Sequence, residues 1–142
     1  MVPARLSIVT LGVADVARSR AFYEALGWEA AASSMDQICW MKVAGSWLGL
    51  WSRELLAEDA GVADAGPGSF DGVTLAINLE SPEVVDEAMA TAVAAGATVT
   101  QTPVQVEWGI YRGYFADPDG HSWEVAWNPD FPINSDGTIQ IP

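Results

Sequence analysis

Few side chains in this chain could activate, ligate or clamp a small molecule, and most of them lie toward its C-terminal end. Arg112 and Tyr114 stand in Tyr111-Arg112-Gly113-Tyr114, and Glu124 stands in Ser122-Trp123-Glu124-Val125-Ala126-Trp127, so two neighbouring segments bring a guanidinium, a phenol and a carboxylate. A carboxylate in apolar surroundings must be paired, hydrogen-bonded or protonated. Glu124 can therefore be an acid bonded to Thr74 or Tyr114, a general base, or an acceptor for a ligand N–H. Arg112 is the only Lys or Arg after Arg53. It can form a salt bridge to Glu107 or Glu124, neutralise Glu124, or clamp a ligand carboxylate with two parallel hydrogen bonds.

Other chemistries are excluded by counting. One histidine, His121, rules out multi-histidine metal sites, and one cysteine, Cys39, rules out an internal disulfide or a Cys-rich zinc site. His121 follows a turn and by strand parity lies on the face opposite Glu124, while Cys39 has nothing basic near it and reads as a small buried hydrophobe. Seven tryptophans are many for 142 residues. Trp47, Trp51, Trp123 and Trp127 read as core residues at a sheet–helix seam. Trp40 lies on a strand and fits either core or site. Trp108 sits beside a glycine outside any core period, either a flap that stacks on a planar ligand or an ordinary loop aromatic. The net charge of −13 offers nothing to phosphate backbones or anionic lipid, so nucleic acid and membranes are excluded as partners. The apolar run after Ser7 stops at Asp15, too short for a spanning helix and without a signal-peptide pattern, which leads us to expect a soluble, cytoplasmic protein.

The elements that must position these groups alternate between strand and helix. Residues 6–13 form a strand, Asp15 caps a helix ending at Gly27, strands follow at 37–43 and 46–51, and a short helix at 52–59. A Gly/Pro/Asp-rich linker, 61–72, interrupts the pattern. The pattern then repeats, with a strand at 73–79 and a helix opening at Ser81-Pro82, with Met89 and Val93 in its buried stripe, and closing at Gly96. Strands at 97–101, Tyr111–Ala116 and Ser122–Trp127 follow, the last two joined by an Asp117-Pro118-Asp119-Gly120 turn. Two echoes mark the repeat. Residues 8–13 echo 74–79, and Trp47-Leu48-Gly49-Leu50-Trp51 echoes Trp123-Glu124-Val125-Ala126-Trp127.

Three pieces of this sequence resemble the vicinal oxygen chelate superfamily of glyoxalases, bleomycin-resistance proteins and extradiol dioxygenases. They are Val13-Ala14-Asp15 with Phe22-Tyr23 and Leu26-Gly27-Trp28; Ala94-Ala95-Gly96-Ala97; and Gly113-Tyr114-Phe115-Ala116-Asp117-Pro118-Asp119-Gly120-His121-Ser122-Trp123-Glu124. The resemblance implies an α+β fold of two βαβββ modules, 1–60 and 73–127, joined by the linker and followed by an irregular tail, 128–142. Their mixed sheet curves into a cup with the helices outside. It also implies metal-ligand positions at Ile8, Leu48, Thr74 and Glu124, and a homodimer.

Only Glu124 of those four ligates a metal well, whereas a tightly held metal generally needs about three protein ligands. We therefore expect no metal and no cofactor. Strand alternation then maps a cup lined by Ile8, Thr10, Leu48, Leu50, Thr74, Asn78 and Glu124, with Trp47 and Trp51 against the first helix. Arg112 and Tyr114 share a face, which the family pattern places toward the cup. Trp40 and Trp108 complete the candidate ligand-binding set. The function expected is binding of a small organic molecule, aromatic or cationic, without chemistry, as in drug-sequestering resistance proteins. The alternative is a glyoxalase-like lyase or isomerase, or an extradiol-type dioxygenase, using Glu124 with non-standard metal ligands.

Overall fold

Strand β1 (Ile8–Val13) leads into helix α1 (Val16–Ala25), whose start is fixed by Asp15: its carboxylate accepts from the Arg18 N–H at 3.0 Å. The helix ends in a Schellman arrangement, with Trp28 N–H donating to Tyr23 C=O at 3.2 Å and Gly27 N–H to Glu24 C=O at 2.9 Å. Gly27 takes the left-handed φ of 91° that this stop requires. Strands β2 (Ile38–Val43) and β3 (Ser46–Ser52) follow, then helix α2 (Arg53–Ala60). The second set is β4 (Thr74–Asn78), α3 (Pro82–Ala95), β5 (Thr98–Gln105), a 3-10 turn (Glu107–Gly109), β6 (Tyr111–Ala116) and β7 (Ser122–Trp127). The computed structural model describes residues 1–142, which divide into two compact units, Met1–Gly66 and Pro67–Pro142. No helix is long and apolar enough to cross a membrane.

In the first unit the sheet order is β1-β3-β2, with β1 parallel and β2 antiparallel to β3. The fourth strand of a full βαβββ module is reduced here to a single bridge between Ala30 and Met41. The segment that should form it, Ala30-Ala31-Ala32-Ser33-Ser34, is alanine and serine, which bring no β-branched or aromatic surface to hold a strand in place. The second unit is complete, in the order β4-β7-β6-β5. Strand β5 runs beyond the expected 97–101 and shifts register twice against β6. Pro103 is tolerated because β5 is an edge strand, and Gly113 leaves it room: a Cβ there would lie 2.9 Å from Pro103 Cγ.

Each sheet buries one face against its helix. In the first unit that face carries Leu11, Val13, Cys39, Met41, Leu48 and Leu50, buried with Phe22 and Tyr23 of α1. In the second it carries Phe115, Trp123 and Val125, buried with Val85, Met89 and Ala92 of α3. The α3 stripe thus runs 85, 89, 92; Val93, expected in it, is exposed, one residue and about 100° away around the helix axis. The bulk is divided oppositely in the two cores. In the first the helix brings the aromatic rings and the sheet brings medium side chains. In the second the helix is small and the sheet brings Phe115 and Trp123, whose rings stack at 6.4 Å.

Candidate functional site

The face of the second sheet turned away from α3 gathers most of the polar side chains singled out by the sequence. Glu124 on β7 lies opposite Tyr114 on β6 and opposite Ala76 on β4. Thr74 pairs with Ser122, while Asn78 and Arg112 both pair with Ala126, so Thr74, Asn78, Arg112, Tyr114 and Glu124 share one face. The tight turn 117–120 sets the β6–β7 register. Asp117, itself buried, accepts from the backbone N–H groups of Asp119 and His121, each at 2.9 Å.

Of the two hydroxyls that could bond Glu124, Tyr114 does so: its phenol donates to Glu124 Oε2. That hydrogen bond, reinforced by partial burial and the negative charge of Glu124, raises the Tyr114 pKa above its ordinary value, with Arg112 opposing. The Arg112 guanidinium lies 5.4 Å from the Tyr114 ring centre, a cation–π arrangement, and it forms no salt bridge to Glu107 or Glu124. Its hydrogen-bonding edge thus remains available on the same face. On the opposite face Tyr111 donates to Asp86 of α3 at 2.8 Å, which pins β6 to the helix.

The first sheet departs from the expected map. Ile8 pairs with Trp47, Thr10 with Gly49, and Gly12 with Trp51, while Trp40 faces Gly49 across β2. Leu48 (3% exposed) and Leu50 (0%) therefore share the helix-covered face with Leu11 and Met41, not the face of Ile8 and Thr10. Trp47 and Trp51, expected against α1, lie with Thr10 and Trp40 on the other face. The error is one residue of register, which reverses every side chain in a strand. Ile8 and Thr74 lie equally far before the helix caps Asp15 and Ser81. Gly49, opposite Thr10, is accordingly the counterpart of Glu124, opposite Ala76. The family ligand position assigned to Leu48 therefore moves to Gly49.

Ile8, Gly49, Thr74 and Glu124 do not fit a catalytic metal. An alkyl group and a hydrogen donate nothing, a neutral hydroxyl donates weakly, and the carboxylate is engaged by Tyr114. No group of three His, Cys, Asp or Glu side chains is placed to hold a metal ion. Sequence reasoning missed Trp47, Gly49 and Trp51 as open-face residues. The alternation of Cys39 and Met41 with the larger Trp40 was the available signal for which face carries the indoles.

Trp108 stands at the tip of the β5–β6 hairpin, 83% exposed, with φ 60° and ψ 23°. It is the only non-glycine residue at positive φ. That conformation costs an L-residue roughly 1–2 kcal/mol, and glycine's extra freedom in the unfolded chain takes back roughly 0.4–1 kcal/mol. Trp108→Gly should therefore raise stability by about 0.5 kcal/mol, read as a higher urea midpoint at unchanged slope. A lower midpoint would mean that the indole packs in the folded state.

The raised Tyr114 pKa makes a pH prediction. The protonated phenol is the form favoured by folding, so its contribution is full below the ordinary tyrosine value of about 10 and is lost as pH rises through the higher folded value. Tyr111 is raised too by its bond to Asp86, so absorbance titration of the phenols should lose a late component in Tyr114→Phe while the late component of Tyr111 stays. If that variant instead removes a component of ordinary midpoint, Glu124 does not hold the phenol proton.

Comparison with known proteins agrees with this architecture. The family model described as Glyoxalase/Bleomycin resistance protein/Dioxygenase superfamily matches residues 5–125. A glyoxalase-related enzyme from Fulvimarina pelagi is 36% identical, with 98% of this chain and 99% of that one covered and a TM-score of 0.88. A glyoxalase/bleomycin resistance protein/dioxygenase from Nocardioides is 29% identical, with 89% and 85% covered and a TM-score of 0.74. A lactoylglutathione lyase from Agrobacterium tumefaciens, 24% identical with 88% and 94% covered and a TM-score of 0.64, shares the fold. None of the curated proteins matches the chain. With its sheets, its helices and most of its length accounted for in this way, the chain belongs to the Glyoxalase/Bleomycin resistance protein/Dioxygenase superfamily.

Proposed function

We propose that this protein is a metal-independent member of its superfamily that binds a small organic molecule without transforming it, in the manner of a sequestering resistance protein. The observation that carries this is the Tyr114–Glu124 hydrogen bond: the one carboxylate at a family ligand position is held by a phenol, and its counterpart on the first sheet is a glycine. The second sheet then offers a ligand three kinds of contact. The remaining oxygen of Glu124 accepts an N–H, the unpaired edge of Arg112 donates, and Thr74 and Asn78 supply neutral polar groups. A net charge of −13 favours an aromatic, neutral or cationic ligand over an anionic one. Cytoplasmic location and pairing as a homodimer belong to the same proposal, on the family resemblance.

The second possibility is a metal-dependent lyase or dioxygenase, favoured by the enzyme names of relatives such as the Fulvimarina pelagi protein. It needs ligands that Ile8 and Gly49 do not supply. A thermal-shift panel of planar aromatic amines and cationic antibiotics separates the two, with each hit then recovered and weighed by mass spectrometry. A hit at a hundredfold excess over its dissociation constant stabilises by about 2.7 kcal/mol. The proposal predicts such a hit, weakened at least tenfold by Glu124→Gln or Arg112→Ala and recovered intact. A hit recovered as product, or a panel without hits, overturns it.

A further inference from the structure

Helix α2 and the chain that follows it are held to the first unit with little burial. No side chain of α2 is buried. Arg53, Leu56 and Ala57 are half-buried at the spacing of one helix face, while Leu55 (45% exposed) and, beyond the helix, Val62 (62%) meet solvent. A helix of 8 residues without a buried stripe is marginal on propensity alone. Its ends are fixed locally. The Ser52 hydroxyl accepts from the Leu55 N–H at 3.4 Å. Gly61, at φ 69°, turns the chain so that the Val62 N–H donates to the Ala57 carbonyl at 3.0 Å. Every residue from Glu58 to Gly66 is exposed.

Arg53 closes this segment. Its stem lies over Gly12 of β1, where a Cβ would come within 3.0 Å of Arg53 Cα and 3.1 Å of its Cγ. Its head reaches past the helix to the chain beyond. Nε donates to both Asp64 oxygens at 2.9 Å, and a terminal nitrogen lies 2.9 Å from Asp64 Oδ1 and 3.4 Å from the Gly66 carbonyl oxygen. Asp64 Oδ1 in turn accepts from the Gly66 N–H at 2.9 Å. The Arg53 hydrogen bond, helped by the Gly66 N–H, holds the Asp64 carboxyl below its ordinary pKa, so the pair stays charged at neutral pH. Arg53 is the only base between Ser52 and Gly66, against Glu54, Glu58, Asp59 and Asp64. Without the pair, the segment keeps carboxylates that repel one another and little buried surface to hold it down.

We propose that Arg53–Gly66 is a flap that opens as one piece, hinged at Ser52 and Gly66 and latched by the Arg53–Asp64 pair, and that in opening it uncovers Gly12 near the end of β1. Local opening concentrates in segments with few buried contacts, and this one is closed by a single fork of charge-assisted bonds. The fork is partly open to water, so ionic strength sets how often the flap opens. The device stands on the first unit alone, and the second-sheet proposal does not depend on it.

Hydrogen exchange of the intact protein, read by mass spectrometry after pepsin digestion, tests it. In Asp64→Asn, peptides from 53–66 should exchange roughly threefold or more faster than in the wild type, with α1 and α3 unchanged. Raising salt from about 0.05 to about 0.5 M should speed the wild type toward the variant and leave the variant as it was. Asp59→Asn, which removes a carboxylate outside the latch, should not speed exchange. Gly12→Ala, whose methyl group presses on the Arg53 backbone, should speed it in the same peptides. Equal exchange in the wild type and Asp64→Asn, or equal acceleration in Asp59→Asn, would remove the latch. Acceleration spread equally into α1 would overturn the flap as a separate piece, and unchanged exchange in Gly12→Ala would overturn its closing over β1.

Discussion

Each of the two sheets has one face that buries its apolar side chains against a helix, and that face must be apolar to be worth burying. The two parallel pairs, β1 with β3 and β4 with β7, transmit this requirement across each sheet. Once Leu11 and Val13 turn toward α1, parity leaves Thr10 and Gly12 on the other side, and the β1–β3 register does the same for Trp47, Gly49 and Trp51. Once Trp123 and Val125 turn toward α3, Glu124 is placed on the open face, and the β6–β7 register brings Tyr114 beside it. The composition of each open face is thus a consequence of how each helix is packed.

The Tyr114–Glu124 contact resolves a problem that this placement creates. A carboxylate on an otherwise apolar sheet must be paired or hydrogen-bonded, and here no three His, Cys, Asp or Glu side chains are grouped around it. The phenol supplies Glu124 with a hydrogen bond, and the guanidinium of Arg112 sits over the phenol ring at 5.4 Å. Together they hold the acid in a fixed orientation while leaving one carboxylate oxygen and one edge of the guanidinium unspent. That is the preorganisation a ligand-binding face needs.

Much of this was legible in the residues. Asp15, Ser81 and Gly96 mark helix ends by chemistry that depends only on local backbone geometry, and they cap as expected. Asp117-Pro118-Asp119-Gly120 announces its turn for the same reason. Thr74, Asn78 and Glu124 fall on one face by period-two alternation, while the face of Arg112 and Tyr114, which parity left open, is set by the β6–β7 register. The misplacement of Leu48 and Leu50 has a different origin. The Trp-x-x-x-Trp echo invites one alignment of β3 with β7, yet the two cores divide their bulk oppositely. Phe22 and Tyr23 fill the first core from the helix, so β3 buries leucines; α3 offers only Val85, Met89 and Ala92, so β7 buries Trp123. That choice depends on what faces the strand across the core, which no pattern within the strand reports. The partner of Arg112 was equally beyond reach, since a ring and a carboxylate both suit a guanidinium.

The central claim is that a phenol, and no metal, occupies Glu124. Calorimetric titration of chelator-treated protein with zinc and with nickel, run on the wild type and on Glu124→Gln, tests it most directly. The account predicts no saturable one-to-one binding that depends on Glu124. Stoichiometric binding abolished by Glu124→Gln would contradict it and return the protein to the metal-dependent branch of its superfamily.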